Sequence, residues 1–209
     1  MIRAVIWDYG GVFSGSPFDA MAGVAREMGV DPGRYLEIVF GPYATDTDHP
    51  WHRLERGETT LTNARDEIIE IGRRDGIDAD PFHLFTAMGG GGGMRGEVVD
   101  FARELKASGL GSALVTNNAL EFRDYWRRSI PLDELFHHVI DSSEVGLRKP
   151  DPRIFELALE KLGVDAASAV FLDDYAGNVE AARRVGIHGL LVTDAYEDAL
   201  SELSRLLGR

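Results

Sequence analysis

The chain has 209 residues, 44% of them hydrophobic and 27% charged, which suits a globular protein with one large domain or a core carrying a smaller insertion. A net charge of −13 argues against nucleic acid as a partner, and no apolar stretch approaches the roughly 20 residues that cross a membrane. The absence of cysteine excludes disulfides, thiolate metal sites and a cysteine nucleophile, and it fits a cytoplasmic setting; residues 1–5 lack the h-region of a signal peptide.

The first predicted strand is Ile2-Arg3-Ala4-Val5-Ile6-Trp7, which ends in Asp8 and runs at once into Tyr9-Gly10-Gly11-Val12. An acid after a buried strand sits where open α/β sheets bind their ligands, and it is costly to leave unpaired. Helical patterns then occupy 18–28, 33–39, 62–74 and 81–88, the last with Asp80 as N-cap, and no strand pattern separates them. We therefore expect a small helical cap over 14–88, hung on the first loop, with the five glycines at 89–93 as its hinge.

Beyond the glycines the rhythm changes. Val98, Val99, Phe101, Ala102 and Leu105 share one helical face ahead of a strand at 111–116, and further strands are predicted at 138–141, 169–173 and 189–193. Asp151 caps a helix that carries Pro152 at its first position, the stripe Ile154, Phe155, Ala158, Leu159 and Leu162, and Gly163 at its end. Helices follow at 181–186 and 200–207. Alternation of this kind predicts a Rossmann-like α/β core over 1–13 and 94–209, its parallel sheet covered by helices on both faces.

Four motifs end these strands or follow them closely: Asp8-Tyr9-Gly10-Gly11, Val115-Thr116-Asn117-Asn118, Arg148-Lys149-Pro150-Asp151-Pro152, and Leu172-Asp173-Asp174-Tyr175-Ala176-Gly177-Asn178. Singly each has an ordinary alternative: turn residues, a solvated lysine, a helix cap. Asp173-Asp174 is harder to dismiss, because adjacent acids after an apolar run repel each other unless a cation intervenes. Brought to one sheet edge, the four supply carboxylates for a hard cation, a hydroxyl and an amide for anion oxygens, and an ammonium. Phosphoryl transfer needs that equipment.

In order and spacing these motifs resemble the haloacid dehalogenase superfamily, most densely from 135 to 192, with sugar-phosphate phosphatases and the amino-terminal phosphatase domain of soluble epoxide hydrolase as the groups they look most like. The segment Trp51-His52-Arg53-Leu54-Glu55-Arg56-Gly57-Glu58 also looks like cap sequence. The resemblance implies that Asp8 is a nucleophile forming an aspartyl-phosphate, and that Thr116, Asn117 and Gly11 bind the phosphate. Lys149 would steady both. Mg²⁺ would be held by Asp8, the Gly10 carbonyl, Asp174 and Asp173, the last directly or through water, with Asn178 behind them. The implied substrate is a small phosphorylated metabolite. Oligomeric state is left open.

One position departs from the pattern. Most phosphatases of the superfamily carry a second aspartate, a general acid and base, where this chain has Gly10. Such help is typically worth about 10² to 10⁴-fold, so its loss slows catalysis without abolishing it. Two other readings follow: a 2-haloacid dehalogenase, which attacks carbon and has no use for paired acids, and a weakly active or non-catalytic ligand-binding domain. Among lesser candidates, His49, His52, His137 and His138 are expected to be structural. Trp51, Arg53, Arg56, Tyr9 and Tyr175 are candidate pocket walls.

Overall fold

The computed structural model describes residues 1–88 and 93–209, so the expected glycine hinge falls, apart from Gly93, outside the described residues. Strand β1 (Ala4–Trp7) is followed by α1 (Pro17–Glu27), α2 (Pro32–Phe40), α3 (Pro50–Glu55), α4 (Leu61–Arg74) and α5 (Phe82–Met88). Then come α6 (Gly96–Ala107), β2 (Gly111–Thr116), α7 (Arg123–Ser129), α8 (Leu132–Leu135), β3 (His138–Asp141) and α9 (Ser142–Val145). The chain closes with α10 (Pro152–Leu162), β4 (Ala169–Asp173), α11 (Ala176–Val185), β5 (His188–Leu191) and α12 (Tyr196–Leu206).

The strands form one parallel sheet in the order β3-β2-β1-β4-β5. The chain leaves β1 toward β2 on one side and later returns to β4 on the other, which opens a crevice at the carboxyl ends where the order reverses. Register aims the chemistry at that crevice: Trp7 pairs with Leu114 and Leu172, so Asp8 comes level with Asp173.

Alternation along β1 sends Val5 and Trp7 to one face and Ile6 to the other. The first face packs with Leu114 and Leu172 against Val98 and Leu105 of α6 and Leu203 of α12. The second joins Val115 and Phe171 to Ile154, Phe155 and Ala158 of α10. Burial on both faces explains why these strands read as unbroken apolar runs. A third cluster unites Met21, Tyr35, Ile38, Leu54, Ala64 and Ile68, so helices α1–α4 share a core of their own.

The caps follow the sequence signals. Asp151 accepts from the Arg153 N–H, and Gly163 closes α10 at φ +64. The Asp80 carboxylate accepts from the Phe82 N–H at 2.9 Å. The short helices α7, α8 and α9 carry no pattern of their own, α12 starts at Tyr196, four residues early, and three further elements differ from the pattern. Helix α11 starts at Ala176, five residues before its predicted face, because Gly177 and Asn178 hide the start; a Cβ on Gly177 would lie 2.5 Å from the Tyr175 ring. Strand β5 begins at His188, one residue early. Pro50 begins α3 at its first position, where its missing N–H costs nothing. No helix among the described residues is long and apolar enough to cross a membrane.

Candidate active site

The strand ends converge on one buried ammonium. Lys149 Nζ lies 2.7 Å from Asp8 Oδ1 and 2.7 Å from Asp173 Oδ2, with Lys149 only 1% exposed. The cation that adjacent acids require is thus partly built in. Asn117, one residue past β2, clamps the lysine's backbone: its Oδ1 accepts from the Lys149 N–H at 2.8 Å and its Nδ2 donates to the Lys149 carbonyl at 3.0 Å. The same Nδ2 donates to Tyr43 Oη at 3.2 Å.

The acids are held unequally. Asp173 accepts from the Tyr175 N–H at 2.8 Å and from Asn178 Nδ2 at 3.1 and 3.2 Å, besides Lys149. Asp8 Oδ1 also accepts from the Tyr9 N–H at 2.7 Å, while Oδ2 meets no protein donor among the described residues. Asp174 accepts from Ser16 Oγ at 2.5 Å. Gly11 makes this crowding possible. It sits at φ +69, and a Cβ there would fall 2.1 Å from the Asp174 carboxyl carbon, so any side chain would drive the loop off the acid.

Oxygens of Asp8, Asp173 and Asp174 lie within 4.8 Å of one another, the one such cluster among the described residues. Three carboxylates against one ammonium leave two uncompensated negative charges when all are ionised. Burial, then the neighbouring acids, hold Asp8 well above the usual carboxylate range despite the pull of Lys149. Burial and then Asp173 push Asp174 up to about 7. Burial opposes the charge on Lys149, but Asp173 and Asp8 outweigh it and its pKa is raised. The cluster can hold a metal ion. Its donors are hard oxygens, and ligands across a Mg²⁺ or Ca²⁺ ion at about 2.1–2.4 Å span about 4–5 Å. Asn178 Oδ1 is buried and has no protein partner.

Above the acids lies a cavity of about 400 Å³, floored by Asp8, Thr116, Lys149 and Asp174. Phe18, Phe40, Tyr43 and Trp51 of the helical segment line it together with Phe122, Tyr125 and Trp126 of the core. Glu55 ties the two halves together. It accepts from Tyr43 Oη at 2.8 Å, Trp51 Nε1 at 2.9 Å and Arg148 Nε at 2.7 Å, while the guanidinium lies 4.6 Å from the Tyr43 ring centre. A second hollow of about 510 Å³ sits at the amino ends of the strands, against Ile2, Gly111 and His137, with no carboxylate in its lining.

All the expected site residues lie in or directly behind this region, and two of them are already engaged by protein groups. The Asn117 side chain is spent on Lys149 and Tyr43, so its side-chain amide positions the lysine and is not free for a phosphate. Gly11 donates its N–H to the Gly15 carbonyl at 3.2 Å and accepts from Arg95 at 2.6 Å, so it makes room for Asp174 and has no N–H to offer a substrate. Tyr9 and Trp51 line the cavity. Arg53 and Arg56 do not, being turned to Glu67 and to Asp46 and Glu58. Tyr175 stacks on Phe18 behind the wall. The histidines are structural: His49 caps α3 through the Trp51 N–H, and burial lowers His49 to about 4 and His52 to about 3. Sequence reading missed Tyr43, Glu55 and Arg148, although the Trp51–Glu55 spacing of four was a signal for a shared helix face.

Comparison with known proteins places this geometry. The haloacid dehalogenase-like hydrolase model matches residues 2–186. The chain belongs to that family. It is an enzyme of the hydrolase class with phosphatases among its relatives. It is 28% identical over 211 residues to the sesquiterpene phosphatase astK of Aspergillus oryzae, covering 99% of this chain and 97% of that one. It is also 32% identical over 219 residues to mouse acyl-CoA dehydrogenase family member 10, covering 99% of this chain but 19% of that protein, so it spans about a fifth of that relative's length. A haloacid dehalogenase-family enzyme of Bacteroides thetaiotaomicron, solved with magnesium and inorganic phosphate, shares the fold at TM-score 0.63 and 18% identity, over 93% of this chain and 96% of that one.

Proposed function

We propose that the chain is a Mg²⁺-dependent phosphatase of small organic phosphomonoesters, acting through an aspartyl-phosphate at Asp8. The observation that carries this reading is the cluster itself: three carboxylates within 4.8 Å served by one buried lysine, a charge deficit that a divalent cation removes. Asp8, Asp174 and the Gly10 carbonyl would hold Mg²⁺, which when bound supplies positive charge against the phosphoryl oxygens.

Asp8 attacks phosphorus through Oδ2, the oxygen no protein donor engages, while Lys149 and the Tyr9 N–H fix Oδ1. Lys149 carries charge to the transferring phosphoryl group, and Thr116 at the end of β2 offers its hydroxyl. Asn117, Asp173 and Asn178 act one step back, by fixing Lys149 in place. Water then attacks phosphorus, breaks the bond to Asp8 and releases phosphate. Residues 14–88 act as a cap that closes the cavity, with Glu55 and Arg148 as its latch to the core, and specificity resides in its rings. The absence of cysteine fits work in the cytoplasm.

A dehalogenase uses the same aspartate but gains nothing from Asp174, and a metal-free site would leave the two excess charges buried. Hydrolysis of phenyl phosphate should require Mg²⁺, stop with EDTA and vanish in Asp8→Asn. Turnover that survives EDTA, or chloride release from a 2-chloro acid, would overturn the proposal.

A further inference from the structure

The cavity and the Gly10 substitution bear on the same question: what leaves when phosphorus is attacked. A poor leaving group needs a proton, so the groups of the lining that could give one bear on the answer. Tyr43 gives its hydroxyl proton to Glu55 at 2.8 Å, away from the floor. Glu55 accepts from three donors and has none to give. Ser129 gives its proton to the Trp126 carbonyl at 2.6 Å, so Tyr9, 2.6 Å from the Ser129 hydroxyl, is the donor there and its proton is also committed. Lys149 is held between Asp8 and Asp173, and Ser14 turns to the Gly15 carbonyl at 3.3 Å. Thr116, Asn118 and the exposed Tyr125 also line the cavity, but hydroxyls and amides are far weaker acids than a carboxyl. Asp174 is a metal ligand in the phosphatase reading and has no proton to give, so among the described residues no carboxylic acid takes the place that Gly10 leaves empty.

The walls say what kind of group is held. Phe18, Phe40, Tyr43, Trp51, Phe122 and Trp126 present rings to it, and the side-chain amide of Asn117 is already spent. A sugar's hydroxyls would lose their water against these rings and recover few hydrogen bonds. A flat apolar group would gain ring contacts.

We infer that the leaving group is an aromatic alcohol, so that the substrate is the phosphate monoester of a phenol or a fused-ring equivalent. The inference rests on the phosphatase reading. A phenol ionises near 10, whereas an aliphatic alcohol lies close to water at about 16, so a phenolate departs without the missing acid. Asp8 forms the new bond to phosphorus, the P–O(aryl) bond breaks with its electron pair going to the phenolate, and solvent protonates the phenolate. Water then attacks phosphorus and breaks its bond to the Asp8 oxygen, yielding hydrogen phosphate, the Asp8 carboxylate and a proton that passes to solvent.

The test compares kcat/KM in Mg²⁺ for acetyl phosphate, phenyl phosphate, cyclohexyl phosphate and glucose 6-phosphate. Phenyl should exceed cyclohexyl phosphate, its equal in size and apolarity, by at least about 10²-fold, the usual scale of general acid help. Cyclohexyl should in turn exceed glucose 6-phosphate. Gly10→Asp fits sterically, its Cβ in ordinary contact 3.4 Å from Pro17 Cδ, and should narrow the phenyl-to-cyclohexyl ratio at least about tenfold by restoring the acid. As a readout apart from turnover, Asp8→Asn should bind 1-naphthyl phosphate about tenfold or more tighter than glucose 6-phosphate by calorimetry. Equal rates for phenyl and cyclohexyl phosphate would reveal a proton donor in the site and overturn the inference. So would equal rates for phenyl phosphate and glucose 6-phosphate. Acetyl phosphate turned over without phenyl phosphate would sink this inference alone, and silence toward all four would sink the phosphatase reading with it.

Discussion

The strand-end floor and the ring-lined wall of the same cavity are built on opposite principles. The floor is polar and over-determined: Lys149 is fixed by two carboxylates through its ammonium and by Asn117 through its backbone, and Asp173 by Lys149, Tyr175 and Asn178. The wall is apolar, and its polar atoms are paired among themselves around Glu55. A preorganised floor lowers a barrier in the same way for every substrate, whereas a wall of rings can only choose between them. Changes to the floor should therefore move all substrates together, and changes to the wall should move their ratios.

The largest effect belongs to Asp8. Asp8→Ala should lose at least about 10⁴-fold in kcat for every substrate that the protein turns over, because it removes the oxygen proposed to attack phosphorus, while Asp173 is tied to Lys149 and Asn178. Lys149→Met should follow with a loss of about 10²–10³-fold, again independent of substrate. It should also cost several kcal/mol of stability in chemical denaturation, since it strips the counter-charge from Asp8 and Asp173. If either variant changed substrate preference instead, the division between floor and wall would fail.

Much of the floor was legible because each of its members ends a buried run or sits beside a helix start: Asp8 after β1, Thr116 at the end of β2, Asp173 and Asp174 at β4, Lys149 ahead of Asp151 and Pro152. The parallel sheet follows from the same alternation. What could not be read was which group each side chain would serve. The amide of Asn117 meets Lys149 across 32 residues, and Arg148 meets Glu55 across 93. Such pairings belong to tertiary packing and leave no local pattern. The wall was hidden for another reason. Phe18 opens the predicted helix at 18–28 and Phe40 falls just past the one at 33–39, and periodicity does not say whether a ring faces a core or a cavity.

Intermediate effects test those unreadable contacts. Asn117→Ala should lower kcat about 10–100-fold with little change in KM, because it loosens the lysine and not the substrate. A rise in KM alone would make Asn117 a substrate contact after all. Arg148→Met should raise KM more than it lowers kcat, since it frees Glu55 and loosens the wall. An equal loss of kcat across substrates would assign Arg148 to the floor.

The smallest effect is on stability with pH. With its pKa up near 7, Asp174 in the metal-free fold keeps a proton that the unfolded chain has lost above the ordinary value of 3.8. The native state thus binds more protons in that window, and Asp174's contribution to metal-free stability falls as pH rises through it. Mg²⁺ must displace that proton, so saturating Mg²⁺ should raise Tm more at pH 8 than at pH 5.5, by a few degrees in calorimetry. An equal shift at both values would place the ion away from Asp174.

The account stands or falls on a phosphoryl group carried by Asp8. Rapid mixing with Mg²⁺ and phenyl phosphate, followed by borohydride reduction and peptide mass spectrometry, reads this directly. An acyl phosphate on Asp8 is reduced to homoserine at that position, in amounts that track turnover, and this is the predicted result. Substrate consumed at the same rate with residue 8 recovered only as unmodified aspartate would contradict it.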